Sequence, residues 1–145
     1  MEINFKKVHT VKDLAISTTV LLAGAGLFFV NKGLGITIAA CGLAMFFLYK
    51  GGYRKDGQGI ILQKKSEDLC KCCRQSVADY LNGKDVTPQI KRGTEGGSVR
   101  LDVYYNAGAG IAYARLYDFR DYAYEPETDF VELHSPKADE LISQL

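Results

Sequence analysis

Between Leu14 and Tyr49 the only strongly polar residues are Asn31 and Lys32, and this block constrains the chain more than any other feature. Leu14 to Val30 and Leu34 to Tyr49 carry no ionised side chain, and as helices each reaches roughly 25 Å, close to the hydrocarbon thickness of a bilayer. Helices apolar on every face need a large protein or lipid around them. Of the 145 residues, the remainder suffices for one small core only, so a buried helical pair in a soluble protein is the weaker reading. The expectation is a two-helix transmembrane hairpin over residues 14–49.

The Asn31-Lys32-Gly33 break supplies the turn, with Gly33 expected in a left-handed conformation, and so short a connection makes the helices antiparallel. Small residues recur at helical spacing as Thr19, Ala23 and Gly26 in the first span and Gly35, Ala39 and Gly42 in the second. Such stripes let backbones approach closely in lipid, and these six are the candidate helix-packing residues. Two targeting patterns compete and are set aside. Ala23-Gly24-Ala25 resembles a signal-peptide cleavage site, but apolar chain continues well beyond it, and the lipoprotein-like Ile38-Ala39-Ala40-Cys41 is likewise followed by apolar residues.

Net charge is +1, unevenly spread. Residues 1–65 hold nine Lys/Arg against three Asp/Glu, and residues 66–145 hold nine against fourteen. The excess base lies beside the apolar block, as Lys6, Lys7 and Lys12 before it and Lys50, Arg54, Lys55, Lys64 and Lys65 after it. By the positive-inside rule both termini are expected in the cytoplasm. Positive charge confined to such flanks also argues against a nucleic-acid partner. The expected organisation is a basic flank over 1–13, the hairpin over 14–49, a flexible Gly-rich basic linker over 50–59 and a cytoplasmic domain over 60–145.

In that domain Ile60 to Gln63 reads as a short strand, and Ser66 reads as the cap of a helix running to Asn82-Gly83, with Glu67 and Lys71 as a surface pair. Val86 to Lys91 contains Pro88 and is an edge strand or irregular, ended by Gly96-Gly97. Val99, Leu101, Val103 and Tyr105 alternate with Arg100, Asp102 and Tyr104, the clearest strand in the chain. Ile111 to Phe119 reads as the returning strand. Tyr124-Glu125-Pro126 reads as a turn and Thr128 to Leu133 as a further strand. Ser135 and Pro136 are placed at the cap and first position of a last helix. The fold class expected is therefore a transmembrane helical hairpin followed by a small α+β domain with a largely antiparallel sheet.

Through Arg100-Leu101-Asp102-Val103-Tyr104-Tyr105, Ile111-Ala112-Tyr113-Ala114 and Tyr122-Ala123-Tyr124-Glu125-Pro126, the chain resembles uncharacterised small two-span membrane proteins of Bacteroidetes-type bacteria. The resemblance implies a bacterial inner-membrane, multi-pass setting and transfers no functional residues.

Cys70, Cys72 and Cys73 form the most conspicuous cluster, yet a tetrahedral zinc site needs a second ligand pair, and only His9 and His134 are on offer. Packing of Cys70 and Cys73, with Cys72 near the surface, is the simpler account. Gly108-Ala109-Gly110 is followed by a strand instead of a helix and reads as a hairpin turn, not a phosphate loop. His134 has no nucleophile beside it. No catalytic set can be assembled, and no cofactor, metal or catalytic residue is expected.

Residues 117–145 hold eight acids against Arg120 and Lys137. Tyr117, Tyr122, Tyr124, Glu125, Glu127 and Asp129 are the candidate partner surface, suited to a basic partner. The function expected is a non-enzymatic, membrane-anchored interaction or regulatory module. Its expected associations are the lipid bilayer, a cytoplasmic or membrane protein and a homo-oligomer. The alternative is an oligomeric pore or transport accessory gated by the cytoplasmic domain.

Overall fold

The computed structural model describes residues 3–93 and 98–145. The Gly96-Gly97 break lies outside them. The chain divides into two compact units, one spanning Phe5–Arg54 and the other Lys55–Leu145 with Asn4.

In the first unit, strand β1 (Phe5–Val8) leads into helix α1 (Val11–Phe28), which is followed by helix α2 (Lys32–Leu48) and strand β2 (Gly52–Lys55). Thr10 and Asp13 close a reciprocal capping box at the start of α1. Asp13 N–H donates to Thr10 Oγ1 at 3.1 Å and Thr10 N–H to Asp13 Oδ2 at 2.9 Å. The turn between the helices lies one step earlier than the sequence suggests. Val30 and Asn31 N–H both return to Leu27 O, and Asn31 caps α2 by accepting Leu34 N–H at 3.1 Å. Gly33 therefore sits inside the first turn of α2 with a negative φ, because an asparagine cap removes the need for a left-handed glycine.

The two helices lie antiparallel with backbones nearly touching. A Cβ placed on Gly24 would overlap the backbone of Ala39, and one on Gly35 that of Phe28. One on Gly42 would stand 2.6 Å from Leu21 N. Helix α1 is long and apolar enough to cross a membrane, lies near the N-terminus and has 17% of its residues buried, while α2 is shorter at 17 residues.

Parts of the basic flank expected over 1–13 and of the flexible linker expected over 50–59 are strand, at Phe5–Val8 and Gly52–Lys55. β1 and β2 pair in a two-stranded sheet, and His9 Nδ1–H donates to Tyr49 O at 2.9 Å. Backbone pairing removes the freedom that glycine content alone would allow.

In the second unit β3 (Gln63–Cys70), β4 (Ser98–Asn106), β5 (Ile111–Arg120) and β6 (Ala123–Pro126) lie side by side in sequence order, and β7 (Val131–His134) joins the other half of the β5 edge. All pairings are antiparallel. One 3-10 turn (Lys71–Cys73) and helix α3 (Arg74–Leu81) follow β3, and helix α4 (Lys137–Gln144) follows β7. Leu69, Val99, Leu101, Val103, Ala112, Ala114, Leu116 and Leu133 share one core with Val77, Tyr80 and Leu81 of α3 and Ala138 and Leu141 of α4. Tyr80 is anchored there by donating its hydroxyl to Lys137 O at 2.6 Å.

Several local expectations are corrected. Residues 66–70 are strand, because β4 needs a partner on its free edge and burying Leu69 opposite Val99 outweighs helix propensity. Glu67 consequently faces Lys65 and Arg92, at 3.3 and 3.0 Å, and not Lys71. Tyr124-Glu125-Pro126 belongs to β6, where Pro126 ends the pairing with β5. Pro136 occupies the cap position of α4 without a side-chain bond, and Ser135 N–H is taken by Gly110 O at 2.9 Å. Val86 to Lys91 is irregular, with Pro88 buried.

Candidate interaction surface on the sheet

Alternation along β4 and β5 puts apolar residues on the helix side and leaves Arg100, Asp102, Tyr104, Arg115, Tyr117 and Phe119 for the opposite face. β3 adds Lys64, Ser66 and Asp68 in register with Tyr104, Asp102 and Arg100, and β6 adds Tyr124 opposite Phe119. Tyr113, on this face too, is fully buried and bonds Gln58 Oε1 through its hydroxyl at 3.0 Å, with Lys55 Nζ 4.9 Å from its ring. The opposite half of the face stays open as a depression of about 260 Å³ lined by Arg100, Asp102, Tyr117 and Tyr124.

Its construction is a lattice of cations and rings. Arg100 Nε donates to Asp102 Oδ1 at 2.9 Å, one Arg100 terminal amine donates to Ser66 Oγ at 3.3 Å, and the guanidinium lies 5.7 Å from the Tyr124 ring centre. Tyr124 in turn shares hydroxyl bonds with Ser98 at 3.0 Å and Asp68 at 3.2 Å. Lys64 Nζ stands 3.7 Å from Asp102 Oδ2 and 5.4 Å from the Tyr104 ring. Arg115 lies between Tyr117 and Phe130, at 5.4 and 5.1 Å, with its Nε donating to Thr128 O at 3.0 Å. Its terminal amines, and the Tyr117 hydroxyl, have no partner among the described residues. Each cation–ring contact contributes about 0.5–1 kcal/mol where solvent reaches it. The face therefore presents guanidinium edges and phenol groups held in place by one another and by neighbouring carboxylates and hydroxyls.

The structure divides the candidate partner residues. Tyr117 and Tyr124 are half-buried on this face. Glu125 and Asp129 are exposed and form no ion pair among the described residues, and Tyr122 stands at the β5–β6 turn, 98% exposed. Glu127 is committed elsewhere. It pairs with Arg74 and, at 3.1 Å, with Arg120. Those arginines also flank Asp118, which is 3% exposed and meets Arg120 Nε at 3.0 Å and Arg74 at 3.8 Å. Asp118 Oδ1 is buried and has no hydrogen-bond partner among the described residues. Burial pushes the Asp118 carboxyl upward, but Arg120, Arg74 and Lys71 together hold it below its usual value of 3.8. Glu127 hydrogen-bonds Arg74 and raises the guanidinium pKa further.

Sequence reasoning missed Arg100, Asp102, Arg115 and Lys64, although the alternation that identified β4 already placed the first two beside Tyr104 on one face. Of the six candidate packing residues, Gly35, Ala39 and Gly42 lie on the contact between α1 and α2. Gly26 does not: a Cβ there meets nothing within 4 Å. Thr19 and Ala23 are also exposed, and Thr19 bonds back to Ala15 O at 2.8 Å. The contact on α1 runs instead through Asp13, Ser17, Val20 and Gly24, one helical step around from the expected stripe.

Cys73 is buried and its Sγ accepts Lys91 N–H at 3.2 Å. Cys70 is half-buried and caps the 3-10 turn, and Cys72 is exposed, its Sγ 3.9 Å from that of Cys73. Among the described residues no three His, Cys, Asp or Glu side chains are grouped to hold a metal. His134 pairs with Glu132 at 3.0 Å on the surface. Compared with family models, curated proteins and solved structures, the chain matches none.

Proposed function

We propose that this protein is a membrane-anchored, non-enzymatic interaction module of the bacterial inner membrane. In this reading α1 and α2 cross the bilayer as a hairpin, and the sheet unit binds a protein partner on the cytoplasmic side. One observation carries the membrane assignment. The helices bury little beyond their shared seam and leave Leu22, Phe29, Val30, Phe47 and Leu48 at 65, 88, 85, 64 and 81% exposure. An apolar surface of that kind is stable in lipid and costly in water. At 17 residues α2 reaches about 25 Å, so the surrounding bilayer thins or α2 is anchored at its ends. The basic residues at both flanks support cytoplasmic termini.

The interaction assignment rests on the open half of the sheet, where preorganised arginines and tyrosines border an unfilled depression. Reporters active on only one side of the membrane, fused to each end, test the topology. Both ends are expected to report cytoplasm, and a periplasmic C-terminus would overturn it. Purification in mild detergent tests the module. A stoichiometric protein partner lost on replacing Tyr117 and Arg115 together supports it, and a partner indifferent to both replacements counts against it.

A further inference from the structure

We propose that the partner of the open sheet face is a second copy of this chain, docked through its β5–β6 turn. The proposal rests on reading that face as an interaction surface, and it starts from the turn itself. Asp121 and Tyr122 have φ of 47° and 63°, so two consecutive non-glycine residues occupy the left-handed region. Two-residue hairpin turns of this hand favour Asn-Gly, and a bulky side chain there is strained. Tyr122 is 98% exposed, so the isolated chain gains no packing from holding a tyrosine in that position. A docked partner would, since a tyrosine seated in a pocket is a common anchor of protein interfaces.

The charges left over in each region are complementary. Asp121, Glu125 and Asp129 form no ion pair among the described residues, whereas on the face Arg115 keeps its terminal amines without a partner and Tyr117 its hydroxyl. The turn joins two strands of the same sheet and cannot fold back over the face those strands carry. Its complement therefore belongs to another chain. Acidic turn and basic face lie side by side on one sheet, the arrangement a two-fold interface requires, because each copy then offers its turn to the other's face. A nucleic acid fits less well. The Tyr117 and Tyr124 rings already carry guanidinium groups, and bases would have to displace them to stack.

The test uses the full-length chain co-expressed with two different tags and purified in mild detergent. Asp121→Arg paired with itself, and Arg115→Glu paired with itself, should each lower co-purification at least tenfold. An Asp121→Arg chain mixed with an Arg115→Glu chain should recover it, because both contacts of the two-fold interface then regain opposite charges. Tyr122→Ser, at a site that contributes no packing to the single chain, should lower co-purification with an unchanged melting curve. Unaltered self-association in all three single variants, or failure of the mixed pair to recover, overturns the proposal. A photo-crosslinker at Tyr122 that captures a different protein and never a second copy also overturns it, while leaving the face an interaction surface.

Discussion

The Asp13 carboxylate accepts the backbone N–H of Gly51 at 2.7 Å across 38 residues of sequence. Asp13 is 5% exposed and also holds Thr10 N–H at 2.9 Å, so a single carboxylate caps α1 and fastens the chain leaving α2 to the same end. Gly51 has to be small there, since a Cβ would come within 2.8 Å of Asp13 Oδ1.

Asp13→Ala should therefore free both ends at once. Loss of a capping bond and a charge-assisted, part-buried bond to the Gly51 N–H is worth about 1.5–3 kcal/mol, read as a lower melting temperature in detergent and faster proteolysis between Tyr49 and Lys55. Asp13→Asn keeps one acceptor oxygen and should lie between the two. Equal stability of all three chains would show that β1–β2 pairing alone holds these segments.

Gly24 and Gly26 give the sharpest contrast within the helices. A side chain on Gly24 collides with the Ala39 backbone, whereas one on Gly26 enters open space. Gly24→Leu should destabilise the helix pair by about 1–3 kcal/mol through overpacking, and Gly26→Leu should be neutral in the same detergent melt. Equal losses would place the contact on both faces of α1.

The difference between these glycines also marks what the sequence can express. In β4 polar and apolar residues alternate, so the strand and its two faces were readable from the sequence, whereas its register with β5 was not. In α1 the polar Asp13 and Ser17 lie on the packed side with Gly24, so a search for stripes of small residues alone does not tell Gly24 from Gly26 as the packed position. The stretch from Ser66 to Cys70 carries helix-favouring residues and a cap-like serine, and only the unpaired edge of β4, about thirty residues further along, makes it a strand. The Asp13–Gly51 bond is equally long in range and leaves no local pattern. On the sheet face Tyr117 and Tyr124 stood out by composition and Arg100 fell on that face by alternation, while the contacts of Arg100 with the Tyr124 ring and of Arg115 with the Tyr117 ring became visible only once the strands were aligned.

Asp118 should set part of the acid sensitivity of the sheet unit. Its folded carboxyl lies below 3.8, so its contribution is fully present above that pH and is lost as pH falls through the folded value. Asp118→Asn should cost about 1–3 kcal/mol near neutral pH, because Arg74 and Arg120 lose a buried counter-charge. The gap between the two chains should close as pH drops below 3.8, which melting curves recorded across that range would detect. A gap that persists unchanged into acid would mean that the carboxylate charge is not what stabilises the fold.

Cys73 and Cys72 are neighbours with opposite expected behaviour. Cys73 is buried in the core beside Leu69 and Val77, and its sulfur accepts the Lys91 N–H that ties the irregular 86–91 segment to the start of α3. Cys73→Ala opens a small void and leaves that N–H without its acceptor, at a cost of about 1 kcal/mol or somewhat more. Cys72 is exposed and should tolerate alanine within about 0.5 kcal/mol. Cys70, half-buried with its Sγ 3.4 Å from Cys72 N, should fall between them. Thermal melts of the three variants rank them, and elemental analysis of protein purified without chelator gives the independent check. Stoichiometric zinc that disappears on replacing exposed Cys72 would make the cluster a metal site completed by ligands from outside this chain, and would overturn the packing account.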